Sequence, residues 1–90
     1  MPAAREKKDA FKATAYPNPF ANSFLFTVAT PYKSPLYIKV YTMLGSLVEE
    51  RQVAITELET ATFGESYHSG VYTVIVTHQD VMKTIRVVKR

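Results

Sequence analysis

Alternating apolar and polar positions run through most of this chain, and they predict short β-strands rather than helices. The clearest case is the segment "PLYIKVYTML", because successive side chains of a strand point to opposite faces of a sheet. One side of that segment would carry Leu36, Ile38, Val40 and Leu44, and the other side Tyr37, Lys39 and Tyr41. The segment therefore predicts a half-buried antiparallel strand.

Seven such runs follow one another at fairly even spacing, which is typical of an all-β sandwich or barrel. In chain order they are "FKATAY", "NSFLFTVAT", "PLYIKVYTML", "SLVEERQVA", "LETATF", "GVYTVIVTH" and "VMKTIRVVKR". Phe24, Phe26 and Val28 of the second run should point inward. The fifth run is weaker, and a helical turn over residues 54–60 is an alternative because Ala, Ile, Glu and Leu are not specific to strands.

Prolines and glycines mark the turns between these runs. Pro17 and Pro19 lack backbone donors and would end the first strand, and Phe20 would anchor the chain as it returns to the core. Gly45 suits a tight turn between two paired strands, because glycine readily adopts positive φ. Gly64 and Gly70 bracket "ESYHS", which we interpret as a loop.

The last two runs predict a hairpin. The segment "GVYTVIVTH" is apolar on both faces and should form a central strand that is covered on both sides. Its two faces would carry Tyr72, Val74 and Val76 on one side and Val71 and Ile75 on the other. The short Gln79–Asp80 link indicates that the terminal strand pairs with it antiparallel. We expect that deletion of the terminal strand would disrupt the core.

Ninety residues indicate one domain, which we place at 11–90 after a charged, alanine-rich linker remnant at 1–10. The chain has no cysteine, which excludes disulfides and thiolate chemistry. Its net charge of +3 is concentrated at the two ends. No secretory signal peptide and no apolar membrane-spanning stretch is evident. We expect either an intracellular protein or the end of a longer precursor.

The candidate chemistry is sparse. His68 and His78 have no partner at metal-ligand spacing, and we expect both at the surface. Ser66 and Ser69 lack an orienting acid and belong to a polar turn. Glu49 and Glu50 would point to opposite strand faces and cannot act as a catalytic pair. The sequence therefore predicts no catalytic residue, no metal site and no cofactor.

Two binding functions remain as alternatives. Tyr37 and Tyr41, which flank Lys39, are similar to a stacking platform for sugar or single-stranded nucleic acid. The chain has no continuous basic track beside them, so they are more typical of an ordinary strand surface. A carbohydrate-binding or adhesin sandwich and a nucleic-acid-binding barrel are the competing interpretations.

Four segments, in order, carry a family resemblance: "AYPNPF", "VYTMLGSLV", "HSGVYTVIV" and "KTIRVVK". Together they resemble the C-terminal sorting domain of the type IX secretion system of Bacteroidetes bacteria, over about Phe11 to Arg90. Ser46 and the pair His68–Ser69 depart from the residues that are common in the family. The matching residues outside the last segment are Pro17, Asn18, Pro19, Phe20, Leu44, Gly45, Val48, Gly70, Val71 and Tyr72.

The resemblance implies a seven-stranded immunoglobulin-like antiparallel β-sandwich that serves as a non-catalytic secretion signal. Family members carry an N-terminal Sec signal, enter the periplasm and cross the outer membrane. Their partners are the type IX translocon, an outer-membrane shuttle protein and a sortase that commonly removes the domain and anchors the cargo at the surface. Cleavage would fall upstream of or within Met1–Ala10. Other members keep the domain within the secretion machinery.

The terminal strand is the expected recognition element, because its free backbone edge could accept a receptor strand. Lys83, Lys89 and Arg90 would add electrostatic steering. Exchange of this strand between two copies would give a homodimer. We predict neither nucleic-acid binding nor direct membrane insertion. The residues assigned to recognition are Lys83, Thr84, Ile85, Arg86, Val87, Val88, Lys89 and Arg90.

Overall fold

The computed structural model describes residues 12–30 and 34–90, and within them it is an all-β protein. The predicted linker at 1–10 and the predicted first strand residue, Phe11, lie outside the described residues. One short 3-10 helix spans Ile55–Glu57. The strands are β1 (Lys12–Tyr16), β2 (Leu25–Ala29), β3 (Leu36–Thr42), β4 (Leu47–Val53), β5 (Gly70–His78) and β6 (Val81–Lys89).

These strands form two antiparallel sheets. β1 and β2 make a small sheet, and the larger sheet has the strand order β4-β3-β5-β6. The predicted pairing of the terminal strand with the "GVYTVIVTH" strand is confirmed, with Gly70 opposite Lys89 and His78 opposite Val81. The link between them consists of two residues, of which Gln79 has a φ of 59°. β5 therefore lies inside the sheet and β6 at its edge.

The core lies between the two sheets and is formed by alternate positions of β1, β2, β3, β5 and β6, with Val53 from β4. Phe24 and Phe26 are buried and Val28 packs against the core, as the alternation in the second run predicts. Burial of a large apolar side chain contributes roughly 1.5–3 kcal/mol, so this layer provides most of the stability. The fully buried side chains are Phe20, Phe24, Phe26, Phe63, Leu36, Ile38, Val40, Val74, Val76, Val87 and His78.

Leu44 was predicted on the buried side of the third run, and this prediction is wrong. The strand ends at Thr42, whose carbonyl accepts a bond from the Gly45 N–H at 3.0 Å to close a turn. The alternation of a strand does not continue through a turn, and Leu44 is 95% exposed. The neighbouring prediction is confirmed: Gly45 has a φ of 91°.

The segment "LETATF" contributes no extended strand. Among the two predicted alternatives, the helical turn is confirmed by the 3-10 helix at Ile55–Glu57. Phe63, at the end of the segment, forms an isolated antiparallel bridge with Phe24. This bridge joins the end of the segment to the small sheet.

Two further expectations need correction. β5 was expected to be covered on both sides, but its Val71 and Ile75 side is only half-buried and does not belong to the core cluster. His78 was expected at the surface, but it is fully buried at the end of the core-facing side of β5. Its ring nitrogens lie 3.2 Å from Thr30 Oγ1 and 2.9 Å from the Ser34 carbonyl, which provide hydrogen-bond partners for a buried imidazole.

Candidate functional site

The outer edge of β6 is the candidate recognition surface, and the structure divides it into two parts. Backbone polar groups of alternate residues point to opposite sides of an antiparallel strand. Because Arg86 and Val88 bond away from β5, the even-numbered residues of β6 present their N–H and C=O groups at this edge. The two parts differ in what occupies those groups.

The segment Pro17–Phe20 occupies the part that runs from Arg86 to Arg90, and we call it the edge cap. The Asn18 side-chain amide donates to the Arg86 carbonyl at 2.8 Å and accepts from the Val88 N–H at 3.1 Å. The Phe20 N–H donates to the Val88 carbonyl at 2.8 Å, and the Phe20 carbonyl accepts from the Arg90 N–H at 2.9 Å. The edge cap therefore pairs with β6 as a short neighbouring strand would.

Two prolines shape the edge cap. The Tyr16–Pro17 and Asn18–Pro19 peptide bonds are both cis. Proline carries no N–H, so neither ring leaves an unpaired donor beside β6. The Asn18 amide, with one donor and one acceptor aimed at β6, takes the place that a backbone peptide group would take.

The remaining part of the edge, which we call the open edge, comprises Met82 and Thr84. Both residues are exposed. Within the described residues, no hydrogen bond from outside the sheet reaches their backbone groups. The free strand edge predicted from the sequence is therefore confined to the first half of β6.

Side chains of β6 point toward the core on one face of the strand and toward solvent on the other. Val87 is buried and Ile85 packs against the core. Lys89 donates to the Asn22 carbonyl at 2.9 Å and to the Gly64 carbonyl at 2.8 Å. Its ammonium nitrogen also lies 5.1 Å from the centre of the Phe20 ring, within cation–π range. The charge of Lys89 that we expected to steer a partner is thus bound within the fold.

Three other cationic residues of the predicted recognition element are placed differently. Arg86 and Arg90 are exposed, and Lys83 is half-buried with an interaction of its own. Arg86 lies on the face of the sheet that points away from the core, opposite Thr73 of β5. The exposed charge therefore comes from the two arginines.

The second family segment forms the hairpin between β3 and β4. The Thr42 N–H donates to the Ser46 carbonyl at 2.8 Å, which closes the hairpin around Gly45. Val48 lies at the bulge where the register shifts and is 44% exposed, and Leu44 projects into solvent. This part of the signature forms a turn, and the apolar side chains of Leu44 and Val48 remain exposed among the described residues.

The third segment, Gly70 to Tyr72, opens β5 next to the capped part of β6. Val71 pairs with Val88, one of the residues that the edge cap holds from the other side. The Tyr72 hydroxyl donates to the His68 carbonyl at 2.7 Å and fixes the preceding loop. Three of the four signature segments therefore meet at one corner of the sheet.

The glycine at 64 was not predicted as a site residue, yet it holds this corner together. A Cβ at this position would lie 2.6 Å from Phe20 Cε2 and 3.1 Å from Phe24 Cε1. The Phe20 and Phe24 ring centres are 4.8 Å apart. Its φ of 92° favours glycine over other residues, whereas the sequence offered only the glycine itself, at the start of the predicted loop.

A polar network closes the other side of the aromatic cluster. The Tyr67 hydroxyl donates to Glu49 at 2.6 Å, and Arg51 donates to the Thr62 carbonyl at 2.8 Å while its guanidinium lies over the Phe63 ring at 4.2 Å. Burial raises the pKa of the Tyr67 phenol well above its usual range, and the hydrogen bond to the Glu49 carboxylate raises it further. This network is structural.

Residues with potential chemistry are not assembled into a catalytic or metal site among the described residues. No group of three or more His, Cys, Asp or Glu side chains there could hold a metal ion. An exposed loop carries Ser66, His68 and Ser69. His78, in contrast, is buried and has Thr30 and Ser34 as hydrogen-bond partners. No helix in the described part of the chain is long and apolar enough to cross a membrane.

A comparison with protein-family models identifies the relationship of the chain. The model described as the secretion system C-terminal sorting domain matches residues 14–90, which include five whole strands and most of β1. No curated protein and no solved structure is significantly similar to this chain. The match extends over more than four fifths of the sequence and includes the edge cap, the hairpin and β6. The chain therefore belongs to the family of C-terminal sorting domains of the type IX secretion system.

Proposed function

We propose that this domain directs an attached protein from the periplasm across the outer membrane of a Bacteroidetes bacterium to the cell surface, and that it has no catalytic role. The observation that carries the proposal is the family match over residues 14–90. The partners are the type IX translocon, an outer-membrane shuttle protein and a sortase. The sortase removes the domain from its cargo, which is then anchored at the surface. The two sheets are the layers of an immunoglobulin-like sandwich.

The open edge of β6 is the part of the domain that a receptor strand can join. Main-chain hydrogen bonds provide affinity when an extended segment is added to a sheet edge. Met82 and Thr84 offer these groups, whereas the edge cap occupies those from Arg86 onward. Recognition within Lys83–Arg90 therefore divides into strand addition at the start of β6 and side-chain contacts, chiefly from Arg86 and Arg90, toward its end.

The test is a secretion assay in a type IX-competent bacterium. Residues 1–90 are fused behind a Sec signal and a folded reporter, and the reporter is quantified at the surface and in the periplasm. Thr84→Pro removes the N–H that faces the open edge, and proline is tolerated at such positions because that N–H takes no part in the β5 ladder. Thr84→Val is the matched control, because it keeps the N–H and changes only the side chain.

Three outcomes separate the parts of the proposal. Surface reporter with the unchanged domain and with Thr84→Val, but periplasmic reporter with Thr84→Pro, supports both sorting and strand addition. Surface reporter with all three variants overturns strand addition at Thr84 and leaves the sorting function standing. Periplasmic reporter with the unchanged domain, shown to be folded by circular dichroism, overturns the sorting function.

Exchange of β6 between two copies is a further part of the proposal. The Gln79–Asp80 link is the hinge, since it alone connects β6 to the strand it pairs with. Light scattering coupled to size-exclusion chromatography should show a dimer fraction that grows with concentration and converts slowly to monomer on dilution. A single monomer peak at all concentrations overturns strand exchange.

A further inference from the structure

The larger sheet has a second face, on which seven of fourteen positions are apolar. We call it the outer face. It contains the Val71 and Ile75 side of β5, which the sequence pattern suggested should be covered. Register across the four strands places Leu47, Tyr41, Thr73 and Arg86 in one row and Glu50, Lys39, Ile75 and Thr84 in the next. The neighbouring rows add Gln52, Tyr37, Thr77 and Met82 on one side and Val71 with Val88 on the other.

The fold leaves this face without a covering layer in the described part of the chain. Both described sheets face the same core on their other side, and neither Val71 nor Ile75 packs against that core. Tyr37, Leu47 and Met82 are 51%, 48% and 66% exposed. Ile75 lies diagonally next to Tyr37, Tyr41 and Met82 in the register of the sheet, within reach of long and aromatic side chains. An exposed apolar patch of this kind marks an interaction site on a soluble protein.

The size of the outer face fits a transient complex. Three rows cross all four strands and one row crosses two, and at a strand spacing of about 4.8 Å and a row spacing of about 6.8 Å these positions give a face of roughly 450 Å². A complex over this face would bury about 900 Å² on both partners, which is below the 1,200–2,000 Å² that stable complexes bury. A permanent dimer through this face is therefore disfavoured, whereas a signal that is bound and then released needs no larger area.

The charges of the outer face indicate what the partner carries. The Lys39 ammonium nitrogen lies 3.9 Å from a carboxylate oxygen of Glu50, so the charges of these two residues largely balance each other. Arg86 projects from the same face and is exposed, and no ion pair within residues 12–30 and 34–90 compensates its positive charge. A matching surface would be apolar, to cover Tyr41 and Ile75, and would carry a carboxylate that reaches Arg86. Guanidinium groups bind carboxylates with two parallel hydrogen bonds, which fixes the orientation of the partner.

We infer that the outer face of the β4-β3-β5-β6 sheet is a docking surface for a transient protein partner in the secretion machinery, whose contact surface is apolar with a carboxylate opposite Arg86. This inference rests on the proposed sorting function. It adds a second contact surface to the open edge, which extends from Arg86 of β6 over β5, β3 and β4.

The test uses the same secretion assay with variants on β4, β5 and β6 whose side chains lie on the outer face. Leu47→Lys and Ile75→Lys each place an ammonium group in the apolar part of the outer face, and Leu47 is exposed enough for the fold to tolerate it. Thr14→Lys adds the same charge to an exposed position of the small sheet and is the matched control. Arg86→Glu is paired with Lys12→Glu, which reverses a charge on the small sheet. Thermal unfolding confirms that each variant is folded.

We expect Leu47→Lys and Ile75→Lys to lower surface reporter by about tenfold, as substitutions at the centre of an interface do, and Thr14→Lys to leave it unchanged. Arg86→Glu should lower it by a similar factor and Lys12→Glu should not. Equal secretion by the unchanged domain and both folded apolar-face variants overturns the docking surface while the sorting function stands. Loss with the apolar-face variants but not with Arg86→Glu overturns the carboxylate contact.

Light scattering and an N-terminal deletion test the other occupants. A stable dimer of the unchanged chain that Leu47→Lys dissolves assigns the face to a second copy and overturns the proposal. A gain of exposed apolar surface, measured with a fluorescent dye, on removal of residues 1–11 assigns the face to that segment and also overturns it. Failure of the unchanged domain to reach the surface counts against the sorting function instead.

Discussion

Substitution of Gly64 by alanine should destabilise the domain strongly, because two separate effects act at this position. A Cβ there would lie 2.6 Å from Phe20 Cε2 and 2.9 Å from Phe20 Cζ, inside the closest approach of real Cβ atoms. Phe20 is fully buried and its ring packs against Phe24, so it has little freedom to move aside. Gly64 also has a φ of 92°, a conformation that strains alanine.

The magnitude follows from adding the two effects. The backbone conformation costs alanine roughly 1–2 kcal/mol, and overpacking of a well-packed core typically costs about 1–3 kcal/mol. Gly64→Ala should therefore lower the free energy of unfolding by about 2–5 kcal/mol. The free energy of unfolding of a domain of this size is roughly 5–15 kcal/mol in total. A loss of this magnitude would therefore shift the midpoint of urea unfolding strongly.

Gly45 provides the matched control. It has nearly the same φ, 91°, but nothing lies within 4 Å of a Cβ built there. Gly45→Ala should lower the free energy of unfolding by about 1–2 kcal/mol, the conformational part alone. The difference between the two variants in urea unfolding isolates the contact with Phe20. If Gly64→Ala and Gly45→Ala lose the same amount, the Phe20 ring yields freely and the steric reasoning is refuted.

Three other predictions concern the edge cap, Lys89 and Tyr67. Asn18→Ala removes two exposed hydrogen bonds to β6, so it should lower the free energy of unfolding by about 1 kcal/mol. It should also speed hydrogen exchange of the Val88 amide, and unchanged exchange would show that the edge cap does not protect the edge. Lys89→Met removes two hydrogen bonds and should lower the free energy of unfolding by about 1–2 kcal/mol. Lys12→Met is the control, because Lys12 is exposed and its loss should change the free energy of unfolding little. Equal losses in urea unfolding would contradict a structural role for Lys89. The Tyr67 pKa is raised above its unfolded value, so the neutral phenol contributes stability that is full below about pH 10 and is lost at higher pH. Wild-type protein should therefore lose more stability than Tyr67→Phe between about pH 8 and about pH 11, and parallel losses would refute that coupling.

Much of the fold could be predicted from local pattern, because strands and hairpins depend on neighbours in sequence. Alternation identified β2, β3 and β5, and a two-residue link identified the β5–β6 hairpin. Leu44 was misplaced because alternation was carried past Thr42 into a turn. His78 was misplaced although the signal was present: it shares the alternation of Tyr72, Val74 and Val76, which point into the core.

The candidate site was less predictable, because its key contacts join residues far apart in the chain. Asn18 reaches Arg86 and Val88 across about seventy positions of sequence, and a side-chain amide in place of a peptide group leaves no periodic trace. The ammonium of Lys89 reaches the carbonyl of Gly64 in the same way. The sequence alone predicts that a lysine in a terminal strand faces solvent, because the distant carbonyls that bind Lys89 leave no local pattern.

The two halves of β6 have different neighbours, and this decides which experiments can separate folding from recognition. From Arg86 onward the strand is held by β5 on one side and by the edge cap on the other, and Val87 completes the core. Removal of residues after Thr84 would therefore remove the hydrogen-bond partners of Asn18 and Phe20 on β6 and open the core, so loss of secretion in such a truncation has two explanations. Thr84→Pro removes the N–H that faces the open edge, which β5 does not use, and Thr84→Val accounts for the lost side chain, which lies on the outer face. A secretion defect with Thr84→Pro but not with Thr84→Val, with unfolding unchanged, therefore arises from the edge.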